Sequence, residues 1–133
     1  HIKEGYGGFA DMAPEYQLLD DENYAEIHDY ELKDWQLTAA DYAMHVPDTT
    51  QKVLYPPGQW NSSRIIFTSN NVEHWLNDKK VLSFIPWTEQ WYEKRNSGKW
   101  DNFPDYGKYK KGYIGLQDHG SNLWFRNIKI KKL

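Results

Sequence analysis

The sequence predicts an all-β fold, an antiparallel β-sandwich with one short helix, and three observations carry that prediction. The stretch Gly112-Tyr-Ile-Gly-Leu-Gln-Asp-His-Gly120 alternates strictly. Ile114, Leu116 and Asp118 point one way, and Tyr113, Gly115, Gln117 and His119 point the other, because strand side chains alternate with period two. Between residues 60 and 85, three short runs rich in β-branched and aromatic residues are separated by Asn-rich turns, the pattern of a meander. Only residues 89 to 96 carry paired helix start and stop signals.

Residues 1 to 12 are glycine-rich and read as irregular chain. Glu15-Tyr-Gln-Leu-Leu19 alternates as a strand, with Tyr16 and Leu18 on one face and Glu15 and Gln17 on the other. Residues 20 to 38 are acidic and mixed, a long loop with room for one helical turn. Asp41 to Val46 reads as a short strand closed by Pro47. After the Pro56-Pro57-Gly58 turn come the strand 60–68 around Arg64-Ile-Ile-Phe67, the turn Ser69-Asn70-Asn71 and the strand Val72-Glu-His-Trp-Leu76. Asn77-Asp78 then turns the chain into the strand 80–85. Thr88 caps the helix 89–96, Trp87 and Tyr92 stand at staple spacing, and Gly98 can end it. A loop of aromatics, Gly and Lys over 99–111 leads to a final hairpin, whose second arm is Leu123-Trp-Phe-Arg-Asn-Ile-Lys-Ile130. No internal repeat interrupts this order, so residues 1–133 read as a single β-sandwich domain. Its six or seven strands are fewer than a two-sheet sandwich with a ligand-binding face commonly uses.

Composition narrows the function classes. A net charge of -3 and a pI near 5.9 argue against a nucleic-acid partner, which requires a concentrated basic surface. No apolar run approaches the roughly 20 residues needed to span a bilayer. With no cysteine, disulfide and thiol chemistry are out. Aromatics reach 17 % of the chain, with seven Trp and ten Tyr, at a mean hydropathy of -0.91. Large rings among abundant polar groups suit sugar recognition, and small aromatic β cores give the same count. Asn61-Ser62-Ser63 is a formal glycosylation sequon that occurs readily by chance.

The polar strand faces together present Glu15, Gln17, Glu73, Trp75, Tyr113, Gln117 and His119. If these strands share one sheet, a carboxylate and an imidazole converge as a general acid–base pair. Each residue alone reads equally as a solvated surface group. His74, on an apolar face, reads as a hydrogen-bonded structural histidine, and His45 stands open to either reading. Arg64 and Arg126 read as sheet-edge arginines that pair with a carboxylate or a sugar, structural pairing being the better reading for Arg126. The histidines lack metal-ligand spacing, so no metal is expected. Two-carboxylate hydrolysis needs acids about 5 Å apart in the retaining case, and Glu15-x-Gln17 offers an amide where the second acid should stand.

Several segments taken in order resemble one family: Ala13-Pro-Glu-Tyr-Gln-Leu-Leu-Asp-Asp-Glu-Asn23, Pro57-Gly-Gln-Trp-Asn61 with Arg64-Ile65, His74-Trp-Leu-Asn77, and Gly112–Gly120 with Trp124-Phe-Arg-Asn-Ile128. They are similar to the bacterial 3-keto-disaccharide hydrolase domain, a concanavalin A-like lectin/glucanase sandwich of jelly-roll type. The resemblance runs from about residue 13 to the end. The family's opening strands have no counterpart here, so the resemblance implies the C-terminal two-thirds of that domain, with the same precursor one source of the remainder. Segment 24–40 is individual. The resemblance further implies a glycoside or oligosaccharide substrate oxidised to a ketone at sugar carbon 3, and a periplasmic or extracellular setting. No cofactor is expected. On such a substrate Glu15 and His119 are the expected base and proton donor, in either order. Gln17, Gln117 or Arg64 would hold hydroxyls or the ketone oxygen, and Trp75 or Tyr42 would stack on the sugar. A non-catalytic sugar-binding module on the same fold is the alternative.

Overall fold

A computed structural model describes residue 2 and residues 12–133. Its sheet is the predicted meander: β1 (Ser63–Phe67), β2 (Val72–Leu76) and β3 (Lys79–Phe84), antiparallel in the order β1-β2-β3. Asn77 and Asp78 both take positive φ, 46° and 62°, the mirror-image turn whose twist matches the strands it joins. Register pairs Arg64 with Trp75 and Ile65 with His74, and a bulge interrupts the β2–β3 pairing between His74 and Trp75. Val72, His74 and Leu76 form the buried face of β2. His74 behaves as a structural histidine: its Nδ1 is 2.9 Å from the Ala39 carbonyl, and burial lowers its pKa.

The long acidic loop holds one helical turn, α1 (Tyr24–His28), and a 3₁₀ turn at Asp34–Gln36. Helix α2 (Glu89–Arg95) forms where expected, and Thr88 accepts a hydrogen bond from the Trp91 amide as its cap. Tyr92 sets its ring edge-on against Trp91 at 5.2 Å. A second 3₁₀ turn, Gly98–Trp100, follows directly.

Two apolar clusters hold these pieces. Ala39, Leu76 and Val81 bury together with Tyr16 and Leu54 against them. Met44, Trp91, Trp100 and Tyr106 form the other cluster, with Trp100 and Tyr106 stacked at 4.0 Å. Gly107 is required there, because a Cβ would stand 2.4 Å from Trp91 Cη2. The sequon residue Asn61 is structural too, donating to the Tyr55 carbonyl and accepting from Asn77.

Three expectations need correction. Residues 15–19 form no named strand; a single bridge, Tyr16 to Asp41, is flanked by hydrogen bonds of Gln17 with Ala39 and Ala40 and of Tyr42 with Glu15. Residues 41–46 are a tight turn rather than a strand, since Asp41 bridges back to His45 and Ala43 takes φ 58°. The final hairpin is not formed. Tyr113 bridges Ile2, but no described residue offers an edge beyond it, and a strand without a partner leaves its amides to solvent. Ile114 and Ile130 are accordingly 72 % and 79 % exposed. Asn127, at φ 55°, breaks the second arm. Among the described residues one three-stranded sheet stands where six or seven strands in two layers were expected. The glycine-rich reading of residues 1 to 12 falls, save for Ile2 and Met12, outside the described residues.

Candidate active site

Glu15 and the turn at 41–45 are brought together by backbone pairing. The Tyr42 amide donates to the Glu15 carbonyl at 3.0 Å, and the Tyr16 hydroxyl anchors the neighbouring position on the Trp75 carbonyl at 3.0 Å. Because residues 15 and 16 alternate, the Glu15 carboxyl faces away from the Tyr16 ring. Burial raises the Glu15 pKa, the charges of Lys99 and His119 pull it back down, and the charge of Asp41 raises it further. Glu15 and His119 therefore sit in one electrostatic neighbourhood. Among the described residues the Glu15 carboxylate accepts no hydrogen bond and lies in no ion pair within 4.0 Å.

Lys99 reaches this neighbourhood from the 3₁₀ turn after α2. The chain enters that turn through Gly98 at φ 69°, a setting that favours glycine. The Lys99 ammonium stands 4.2 Å from the Tyr42 ring centre and 4.8 Å from that of Trp100. Trp100 in turn donates its indole N–H to the Tyr42 carbonyl at 3.2 Å, so a buried ring fixes the cation's platform. Trp35 meets Tyr42 edge-on at 5.2 Å and also lines an open groove with Glu31, Lys33 and Val46.

Beneath lies a buried acidic patch. Asp41, 1 % exposed, bonds through Oδ2 to His45 Nδ1 at 2.8 Å, and its Oδ1 has no described partner. The Tyr106 hydroxyl is likewise buried without a described partner. Burial first, then the charges of Asp41 and Glu15, push its pKa well above 10.0. His45 stacks on Phe84 at 4.2 Å.

Other expected site residues are distributed differently. Gln17 is partly buried and lies beside Glu15. Gln117 is partly buried and His119 exposed. Arg64 and Trp75 meet each other instead, with the guanidinium 4.2 Å from the indole ring. Alternation along β2 sends Trp75 and Glu73 to the face opposite His74, whereas Asp41 acts on His74 from the buried side. Arg64 and Trp75 thus form a cluster apart from Glu15. Arg126 stacks on Trp60 at 3.9 Å rather than on a carboxylate. Sequence reasoning missed Lys99, Asp41 and Tyr106. Asp41 carried one signal, an acid directly following the apolar pair Ala39-Ala40; the other two come from a loop whose path the sequence leaves open. Among the described residues no group of three or more His, Cys, Asp or Glu is placed to hold a metal ion. None of the described helices is long and apolar enough to cross a membrane.

Residues 1–131 match the model of the 3-keto-alpha-glucoside-1,2-lyase-like domain. A 3-keto-disaccharide hydrolase of Bacteroides thetaiotaomicron is 36 % identical over 132 residues, covering 91 % of this chain and 44 % of that protein. The crystal structure of a candidate glycosyl hydrolase from Parabacteroides distasonis is similar at a TM-score of 0.72 and 47 % identity, covering 82 % of this chain and 50 % of that one. The chain thus spans about half the length of these two relatives.

Proposed function

The chain belongs to the 3-keto-alpha-glucoside-1,2-lyase-like family, and on that footing we propose that it serves a glycoside hydrolase acting on sugars carrying a ketone at carbon 3. The observation that carries the reading is Glu15: a carboxyl raised by burial, under the charges of Lys99 and His119, with no hydrogen-bond partner of its own among the described residues. A C3 ketone acidifies the C2–H bond. Glu15 takes that proton, and the electron pair flows through the C2–C3 bond onto the ketone oxygen. The enolate then restores its carbonyl as C1=C2 forms and the glycosidic C1–O bond breaks. The pair leaves on the aglycone oxygen, which takes a proton from His119. Water adds across C1=C2, oxygen to C1 and hydrogen to C2, completing net hydrolysis. No second nucleophilic carboxylate is needed, consistent with the amide at Gln17. Gln17 and Gln117 are proposed to hold sugar hydroxyls and Tyr42 to border the ring. Arg64 and Trp75, stacked on each other on the outer face of β1 and β2, are left out of this site. A concanavalin A-like sandwich is proposed as the wider architecture, since the aliphatic face of Ile114 and Leu116 is what a second sheet would cover.

The test separates the two proton transfers. In D2O, wild-type protein is expected to exchange the C2 hydrogen of a 3-keto-glucoside and to release its aglycone, while leaving the unoxidised parent intact. Glu15→Gln should lose both. His119→Ala should keep exchange, release a poor leaving group slowly and recover with a nitrophenyl aglycone. Equal cleavage of the unoxidised parent would end the reading. Sugar binding without turnover would make the chain a carbohydrate-binding module.

A further inference from the structure

We propose that Lys99 is a catalytic residue of this site, its ammonium binding the C3 oxygen and stabilising the negative charge that gathers there as the enolate forms. The inference rests on the reading just given and adds the group that reading lacks. Removing the C2 proton leaves a full charge on the former ketone oxygen, and a cation already in place costs no reorganisation when that charge appears. Lys99 is such a cation. Its ammonium is set over two ring faces, Tyr42 at 4.2 Å and Trp100 at 4.8 Å. One of those rings is 1 % exposed and locked by its bond to the Tyr42 carbonyl. A lysine stem laid along aromatic surface loses much of the freedom that otherwise makes lysine a poor positional device.

The relation between Lys99 and Glu15 supplies the second argument. Of the charges acting on Glu15, that of Lys99 is the strongest, yet no ion pair within 4.0 Å joins them. Lysines at 52, 80 and 108 do close such pairs, with Asp21, Glu73 and Asp105. Among the described residues Lys99 thus closes no ion pair, and its charge acts on Glu15 from beyond direct contact. In the proposed reaction the base works at C2 and the cation at the oxygen on C3, one bond further along. The electron balance is that of the elimination above: the C2–H pair ends on the C3 oxygen under Lys99, and Lys99 neither gains nor loses a proton.

The experiment uses a nitrophenyl 3-keto-glucoside, following aglycone release together with C2 exchange in D2O. Lys99→Met keeps an apolar stem over the rings and removes the charge. It is expected to lower kcat by about 100-fold or more, to change KM by less than about threefold, and to slow C2 exchange in parallel. Lys99→Arg, which restores the cation in another shape, should recover at least a tenth of wild-type turnover, while the urea midpoints of both variants stay at the wild-type value. Full C2 exchange and release by Lys99→Met would overturn the role of Lys99 and leave the substrate reading intact. A wild-type protein inactive on the 3-keto sugar would overturn both. Trapping of a covalent sugar adduct by borohydride in wild type, absent in Lys99→Met, would replace charge stabilisation by an imine and also overturn the proposal.

Discussion

Two clusters, one on the outer face of β2 and one around the turn at 41–45, contain the same ingredients and behave in opposite ways. Outside, Glu73 lies beside Trp75, with Arg64 stacked on that indole and Lys80 on the carboxylate; inside, Glu15 is paired through its backbone with Tyr42, whose ring together with that of Trp100 carries Lys99. Glu73 accepts from the Trp75 indole at 2.8 Å, from Asn71 at 3.2 Å and from Lys80 at 3.4 Å, and its pKa is lowered, chiefly by the indole bond. Glu15 accepts none of these, and burial raises it. Hydrogen bonds to a carboxylate stabilise the charged form, whereas desolvation opposes it. The inner cluster gathers unsatisfied polar atoms around that acid, Asp41 Oδ1 and the Tyr106 hydroxyl, where native proteins ordinarily leave few. The outer one is solved as a surface. Such unsatisfied groups are costly to stability.

The contrast can be broken most directly by turnover. Glu15→Gln is expected to lower aglycone release from a 3-keto-glucoside by about 10²- to 10⁴-fold, and Glu73→Gln to stay within about twofold. Similar losses in the two variants would erase the distinction between the faces. Stability gives the next largest effect. Trp100→Ala should cost about 3–5 kcal/mol in urea denaturation, the range for a buried aromatic, and should free Lys99 from its platform. Arg64→Ala, at an exposed cation–aromatic contact, should cost about 0.5–1 kcal/mol.

Tyr106→Phe sharpens the point about unsatisfied atoms. Its hydroxyl is buried without a described partner, so its removal should leave stability unchanged or raise it by about 1 kcal/mol. A loss of stability in the same denaturation experiment would mean that the hydroxyl is bonded after all.

The smallest effects are in pH dependence, and their signs oppose. Glu15 holds its proton more tightly folded than at its ordinary value of 4.5, so stability is lost as pH rises through 4.5 toward the raised value. Glu15→Gln should therefore raise the melting temperature near neutral pH and leave it unchanged in acid. Glu73 is lowered from 4.5. Its contribution is present above 4.5 and lost as pH falls through the lowered value, so Glu73→Gln should lower the melting temperature near neutral pH only. Thermal melts across that range that shift both variants the same way would contradict the two environments.

What the sequence determined by itself was local. The meander over residues 63–84, the paired Asn77-Asp78 turn and the Thr88-capped helix follow from side-chain alternation, turn chemistry and a cap, all of which act within a few residues. The family segments were legible for the same reason, as short runs of fixed order. Tertiary structure alone decided the remainder. Alternation places Trp75 and Glu15 on polar faces, but cannot say that Trp75 pairs with Arg64 on β1 while Glu15 stands outside that sheet. Nothing local tells a carboxylate that keeps its water from one that loses it, because its surroundings come from residues far away in sequence: the charge of Lys99 acts on Glu15 from more than eighty residues downstream. The final hairpin failed on the same ground, since an alternating pattern makes a strand only when another chain segment supplies its hydrogen bonds.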